Sequence, residues 1–407
     1  MNNSLVSKIN TIVLYLFSAA LALGTINPFA LSQSEDTVDS SMTIIFTIVF
    51  VIIVALRYGI KKLSAKIVIP VLLLFVGFVL GDFIYDLTTA NLGFLLRFGV
   101  VLFCFYEFIV YFSNNPEMIE KSLVVYSITC VLVLLFVYFS GVTSIMTVSK
   151  GRLSIFGENA NSTSSRMVFA VLFFIYDIIH NKRILVLKIL ESLSILLLLY
   201  FIIQSGSRGS LLSVAFGLLL LVSFSHIRSR RKWFILSIVF VVALFALPYL
   251  MNNDDISILN RLEELKEGNV RTILMANAVD IYMDYPFFGA GANGYQVEKS
   301  LRGYSYLDSH CIITSIMAIG GTLSLFAFLA LWLTVFVKTI KLGKSNILPL
   351  VIMVCITFIA LKTGGVITYV LMWYCYAICY SMGYSSKTNF NNDYHHSSIL
   401  EPHANGQ

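Results

Sequence analysis

Long apolar runs recur along the whole chain, and they limit its fold more than any other feature. A helix needs about 20 predominantly apolar residues to cross a bilayer. Runs near that length lie at 11–31, 41–57, 67–84, 92–112, 122–140, 165–180, 184–203, 209–225, 233–250, 311–337, 347–361 and 365–382. In hydrocarbon the backbone must satisfy its own N–H and C=O groups, so such runs must be helical. Only 12% of the residues are charged, against about 25% in soluble domains. The expectation is an all-α polytopic membrane protein with about twelve transmembrane helices. The first run is too long for the apolar part of a typical signal peptide and is read as an uncleaved anchor.

Charge orients the runs. Cytoplasmic segments collect Lys and Arg. With the N-terminus inside, the inner segments hold Arg57, Lys61, Lys62 and Lys66; Lys182 and Arg183; Arg228, Arg230, Arg231 and Lys232; and Lys338, Lys341 and Lys344. The short outer segments 32–40 and 81–91 hold Glu35, Asp36, Asp39, Asp82 and Asp86 and no base. Both termini are therefore expected in the cytoplasm. The transmembrane domain is 1–382, and the polar, aperiodic tail 383–407 reads as disordered. The longest extramembrane piece, 251–310, falls outside as a large periplasmic helical loop between spans nine and ten. Ser257 caps a predicted helix over 258–267, and Asn269 caps another over 270–284 that Pro286 ends.

Several function classes drop out. The six cysteines lie in or beside spans, and no pair has metal-ligand spacing, so no metal site and no disulfide framework are expected. Gly289-Ala-Gly291-Ala-Asn-Gly294 spells G-x-G-x-x-G, but it follows a helix rather than a strand and faces away from cytoplasmic nucleotides. Nucleic acid is not an expected partner. The paired broken spans of an inverted-repeat transporter are missing. Among ionisable groups within spans, Lys188 and Glu191 are spaced to pair. Arg97 has Asp82, Asp86 or a substrate phosphate as candidate partners.

The chemistry concentrates on the outer face. The topology leaves His310 as the one histidine there. Outer cations gather in 150–166, 204–210 and 251–310, where the charge rule gives no reason for them. The first segment contains Arg152, Asn161 and Arg166. The second, Gln204-Ser-Gly-Ser207-Arg208-Gly209-Ser210, is the whole connection between two spans. Its small residues expose backbone N–H groups at the start of a helix, which favours an anion, and Arg208 adds a planar fork suited to phosphate oxygens. Arg271 opens the helix 270–284, where a cation opposes the helix dipole and an anionic partner would offset the cost. The third segment, Tyr304-Ser-Tyr306-Leu-Asp308-Ser-His310, runs into a span. An imidazole there can take a hydroxyl proton at neutral pH, with Asp308 placed to orient it. Tyr295, Tyr304 and Tyr306 either stack on sugars or pack within the loop's own core.

In order and spacing these pieces resemble the O-antigen polymerase/O-antigen ligase superfamily, bacterial inner-membrane glycosyltransferases that use lipid-linked sugars. The resemblance covers roughly 150–335. It rests on Gly151-Arg152 … Asn161; Ser207-Arg208-Gly209; Arg271 followed by Asp284-Tyr-Pro-Phe-Phe-Gly-Ala-Gly291; and His310 followed by Gly320-Gly321 and Leu325. It implies a glycan on undecaprenyl pyrophosphate as donor, no cofactor, an active site on the periplasmic face of the inner membrane, and a chain-length regulator as a candidate partner besides membrane lipid. The catalytic residues it implies are His310 as base with Arg208 and Arg271 on the pyrophosphate. Arg152, Asn161, Arg166, Ser207, Gly209, Asp308, Tyr304 and Tyr306 are expected to contact substrate. Cys311 stands where the family often has Asn, which favours a polymerase over the ligase that transfers glycan to lipid A–core. A glycan transporter is the reading from another class.

Overall fold

The computed structural model describes residues 3–24, 41–59, 61, 63–85, 92–140, 146–149, 152–155, 160–181, 183–224, 270–303, 309–342, 346–362 and 366–382. Within them the protein is helical apart from one small hairpin. The helices are α1 Asn3–Leu23, α2 Ser41–Tyr58, α3 Ala65–Tyr85, α4 Leu92–Asn114, α5 Glu117–Phe139, α6 Ala160–His180, α7 Leu185–Gln204, α8 Arg208–Phe224, α9 Val270–Asp284, α10 Gly291–Leu301, α11 Ile312–Leu342 and α12 Leu348–Ala360, followed by α13 Val370–Met382. Six of them (α3 to α7 and α11) are long and apolar enough to cross a membrane. Apolar helical stretches of 10–17 residues add Lys8–Leu23, Ile48–Tyr58, Gly209–Phe224, Leu348–Ala360 and Val370–Met382. The expected run 233–250, the expected helix 258–267 and the tail 383–407 lie outside the described residues.

Two features differ from expectation. The first helix runs from Asn3 to Leu23, eight residues ahead of the apolar run expected at 11–31. It stops because Gly24 turns left-handed at φ +62° and donates its N–H to Ala20 O at 2.9 Å. Glycine enters that region without strain. The second difference is an antiparallel hairpin, β1 Met146–Ser149 and β2 Arg152–Ile155, in a chain expected to be all-α. Ser149 faces Arg152 and Met146 faces Ile155. Leu153 and Ile155 point inward and are buried, and β2 packs against α6 and α7.

Cross-helix contacts fix which ends lie together. Ser324 Oγ donates to Leu74 O at 3.4 Å, while Gly81 packs on the backbone of Ile319, so α3 and α11 are antiparallel. Trp332 Nε1 donates to Thr357 Oγ1 at 2.8 Å, and α12 returns antiparallel to α11. Gly209 approaches Lys362, while Gly217 packs on Cys355; α8 therefore runs antiparallel to α12. Ser164 meets Ser210 and Leu172 meets Gly217, so α6 and α8 are parallel. One end of the bundle thus gathers the N-termini of α6, α8 and α11 and the C-termini of α3 and α12.

The opposite end carries much of the basic sequence. There Lys61 Nζ donates to Asn114 Oδ1 at 2.7 Å, and Lys338 Nζ lies 3.4 Å from the centre of the Tyr380 ring. Arg183 forks onto Asp177, with Nε to Oδ2 at 2.9 Å and Nη2 to Oδ1 at 3.2 Å. Its Nη2 also lies 3.4 Å from Glu120, so one guanidinium ties α5 to α6. The expected Lys188–Glu191 pair gives way here: Lys188 Nζ turns back to Ile178 O at 3.3 Å, and the Glu191 carboxyl faces Asp177.

The long helix α11 is broken. Gly321 has φ 63° and ψ −162°, a conformation open essentially to glycine alone. A break strands the amides that follow it, and here a distant stretch of chain satisfies them. Thr322 N–H donates to Pro286 O at 2.8 Å, Leu323 N–H to Phe287 O at 3.2 Å, and Ala290 N–H to Ala318 O at 2.8 Å. Thr322 Oγ1 adds a bond to Pro286 O at 2.7 Å and one with Tyr282 Oη at 2.9 Å. The Tyr-Pro-Phe-Phe-Gly-Ala-Gly stretch is therefore a backbone clamp on the Gly320-Gly321 break. Glycine is required on both sides: a Cβ on Gly289 would come within 2.4 Å of Ile319, and one on Gly321 within 2.5 Å of Gly289 and Phe287.

Candidate active site

Two of the three segments singled out in the sequence meet at the bundle end defined above. Helix α7 ends at Gln204 and the chain reverses through Gly206, left-handed at φ +60°. Ser205 holds the turn by donating its hydroxyl to Ile202 O at 2.7 Å and accepting the Ser207 N–H at 3.3 Å. Ser207 stands just ahead of α8, and its C=O takes the first helical bond, from Leu211 N–H at 3.1 Å. Arg208 is the first residue of that helix.

A cluster of hydroxyls joins this turn to the start of α6. Ser210 Oγ lies 3.0 Å from Ser207 Oγ, 2.9 Å from Ser164 Oγ and 3.5 Å from Ser165 Oγ. All four serines are buried. Ser164 also donates to Asn161 O at 3.1 Å, which places Asn161, half-buried in the first turn of α6, beside them. Two helix N-termini, each a partial positive charge, are thereby held together by neutral groups. Gly209 closes the arrangement: a methyl group on it would lie 3.9 Å from Lys362 Cβ, so the end of α12 brings an exposed cation to this turn.

Arg166 is fully buried. Its guanidinium packs on the backbone of Gly24, where even a Cβ would come within 2.1 Å, and Nη1 lies 3.5 Å from Tyr369 Oη. Tyr126 Oη donates to Arg166 O at 3.0 Å. This arginine ties α6 to α5 and to the chain ends flanking α1 and α13. Arg152 starts β2, close in sequence to the start of α6.

His310 reaches the same bundle end through α11. It has φ +52°, and among the described residues no other non-glycine residue has a positive φ. Such outliers are uncommon, with His among the more tolerant side chains, and they cluster at functional sites. The flanking residues hold the turn. Buried Ser309 donates to Cys311 O at 3.1 Å and bonds Ser315 Oγ at 2.7 Å. Thr314 Oγ1 also donates to Cys311 O, at 3.1 Å. The imidazole itself is half-buried. Tyr304, Tyr306 and Asp308 lie outside the described residues.

Arg271 stands exposed in the first turn of α9. The helix has the expected limits, and Leu274, Ala278 and Ile281 are buried on one side, where it packs on α11. The clamp on Gly321 then fixes its C-terminal end. Two further cations of the same region have these partners. Arg302 pairs with Asp284 at 2.6 Å and with Glu298 at 3.6 Å. Buried Lys299 lies 4.6 Å from the centre of the Tyr295 ring. Tyr295 is buried too, so of the two roles open to it, packing is the one observed. Partial burial and the Glu298 carboxylate push the Tyr285 phenol up, keeping it a donor to Glu298 at 3.4 Å.

The G-x-G-x-x-G stretch takes an unambiguous role. Gly289 and Gly291 are left-handed, and Gly291 opens α10. Asp82 fills that helix's N-terminus, its Oδ1 accepting the Asn293 N–H at 3.1 Å. A carboxylate in this place leaves no room for a phosphate. Among the described residues, no three His, Cys, Asp or Glu side chains are grouped to hold a metal ion.

Sequence reasoning did not single out Ser164 or Lys362. The signal for the first was the hydroxyl run Ser162-Thr-Ser-Ser165 at the head of an apolar helix. Lys362 carried no local signal, because its place beside Gly209 is a contact across the bundle. Comparison with known proteins bears on the same part of the chain. No curated protein matches it. Residues 193–329 match the family model described as O-antigen ligase, which supports the O-antigen polymerase/ligase superfamily; this stretch runs from α7 into α11 and includes Ser207, Arg208, Arg271, the clamp and His310.

Proposed function

With the O-antigen ligase match as premise, we propose that the protein is an O-antigen polymerase-type glycosyltransferase. It joins oligosaccharide repeat units carried on undecaprenyl pyrophosphate, at the periplasmic face of a bacterial inner membrane, with both termini cytoplasmic. The observation that carries the reading is His310. A histidine held left-handed at the mouth of the bundle, within the matched stretch, is a base set in a backbone conformation of the kind that clusters at functional sites.

The chemistry follows from the groups around it. The acceptor hydroxyl gives its proton to His310 while its oxygen forms a bond to the donor's anomeric carbon. The bond from that carbon to the pyrophosphate oxygen breaks, and the pyrophosphate leaves with the electron pair. Attack from the face opposite the leaving group inverts the anomeric centre. Negative charge grows on the pyrophosphate as the bond breaks, so cations there stabilise the transition state more than the ground state. Arg208 and Arg271 are assigned to it, with the paired N-termini of α6 and α8 adding their dipoles. Ser207, Gly209, Asn161 and Arg152 line the donor side, and no metal is required.

The test is glycan joining by purified protein supplied with lipid-linked repeat units. His310→Ala should lower the turnover rate by about 10²–10⁴, the usual contribution of a general base. Arg208→Ala and Arg271→Ala should weaken donor use, with Lys at either position rescuing only in part because it lacks the bidentate fork. Normal joining by His310→Ala refutes the catalytic assignment. The family description itself favours a second reading, a ligase that moves the glycan to lipid A–core from the same donor site. The phenotype of a null strain separates the two: loss of a polymerase leaves core capped with one repeat unit, loss of a ligase leaves bare core.

A further inference from the structure

Helices α3 and α4 part at the end of the bundle opposite the candidate active site. Between them lies a cavity of about 340 Å³, a volume within the range of small-ligand sites. Val68, Val71 and Phe75 of α3 line it, with Gly99, Phe103 and Tyr106 of α4. From Ile67 to Phe75 the groove follows about 12 Å of helix. Its deep end closes where the Phe75 ring meets Gly99: a methyl group there would lie 3.4 Å from Phe75 Cε2.

The mouth is basic. Tyr106 Oη, the one polar group on the lining, donates to Lys61 O at 2.5 Å. Lys61 Nζ reaches Asn114 Oδ1 at 2.7 Å, and that bond uses one of an ammonium's three donors. The segment 57–66 carries Arg57, Lys61, Lys62 and Lys66 and no acidic residue. Among the described residues Lys66 joins no salt bridge. The backbone of Lys61 meets the lining at Tyr106, so the apolar slot lies beside this basic segment, a pairing that suits one chemistry, an apolar chain that bears an anionic head.

We infer that the α3–α4 groove is a binding site for one anionic glycerophospholipid, with an acyl chain along Val68, Val71 and Phe75 and the phosphate at Lys61. Basic pockets between spans recognise anionic head groups in this way. The glycan donor is a poor occupant, because Arg208 and His310 are at the other end of the bundle. The site therefore serves to anchor and register the helices in the leaflet on the basic side. It stands or falls independently of which glycan the enzyme joins.

The experiment is native mass spectrometry of the full-length protein. It is delipidated in mild detergent and titrated with phosphatidylglycerol or with phosphatidylcholine of identical chains. The expected result is one phosphatidylglycerol bound in preference to phosphatidylcholine. Lys61→Gln should lower phosphatidylglycerol affinity about fivefold, the effect of one surface cation. Lys61→Arg should retain it, and Val71→Trp, which fills the slot, should abolish retention of either lipid. Equal binding of the two lipids overturns the site, as does unchanged binding in Lys61→Gln or Val71→Trp. A measurement on the unsubstituted protein guards against misfolded variants: phosphatidylglycerol with a photoreactive acyl chain should crosslink within 68–75 or 99–106, and crosslinks confined to other segments refute the assignment.

Discussion

Two helix N-termini near the same end of the bundle are finished in opposite ways. At α10 the chain supplies its own anion: Asp82 accepts the Asn293 N–H and the helix dipole is answered from within. At α8 the neighbours are neutral hydroxyls, Ser207, Ser210 and Ser164, and the next residue is Arg208. Both stretches are glycine-containing turns that lead into helices, and only the first spells G-x-G-x-x-G. The charge of the capping group separates them. A helix start already holding a carboxylate is structural, whereas one surrounded by hydroxyls and cations remains ready for an anion that is not part of the protein.

The sharpest way to break this contrast is to give α8 what α10 has. Ser207→Asp places a carboxylate where the pyrophosphate is assigned, and like charges brought together cost several kcal/mol. Donor-dependent turnover should fall at least a hundredfold below that of Ser207→Asn, a neutral control of equal size, in an assay of purified protein. Equal activity in the two variants would remove the anion from this turn. Next in size is Gly321→Ala, which forces a strained backbone and a clash with the clamp, at a cost of about 2–4 kcal/mol. It should lower the melting temperature in detergent and free α9 to local proteolysis. Asp82→Asn should cost about 1–2 kcal/mol of stability while leaving the KM for donor unchanged; a raised KM would show that α10 also contributes to binding. The smallest effect compares two inactive proteins. His310→Gly should be more stable than His310→Ala by about 1 kcal/mol, because only glycine takes a positive φ without strain. A reversed order would mean that the left-handed backbone is not what holds this residue.

Some of this architecture was legible in the sequence and some could not be. The limits of α9 were readable because Asn269 and Pro286 bracket it; the apolar side read from Ile273, Leu274, Ala278 and Ile281 holds for the last three, while Ile273 is exposed. The six helices long and apolar enough to cross a membrane were readable because a bilayer imposes length and composition. The role of Asp82 was not, since its partner lies 211 residues away and nothing local marks the pairing. The same holds for Arg166 against Gly24, where the signal is an absent side chain on a remote helix end. The hairpin at Met146–Ile155 was hidden by its size, because strands of four residues scarcely establish an alternation. The left-handed turn at His310 was hidden because no residue type demands it; Ser309 and the helix after it impose it through their hydrogen bonds.

The clamp on Gly321 carries a consequence for how this segment can vary. Surface connections ordinarily absorb insertions and deletions, since nothing depends on their length. Here Pro286, Phe287 and Ala290 must each stand opposite a particular rung of a fractured helix. Adding or removing a single residue would shift every pairing by one place and leave polar backbone atoms stranded in apolar surroundings. The stretch behaves as a splice in the spine of α11, and it should keep a fixed spacing even where its side chains are free to drift.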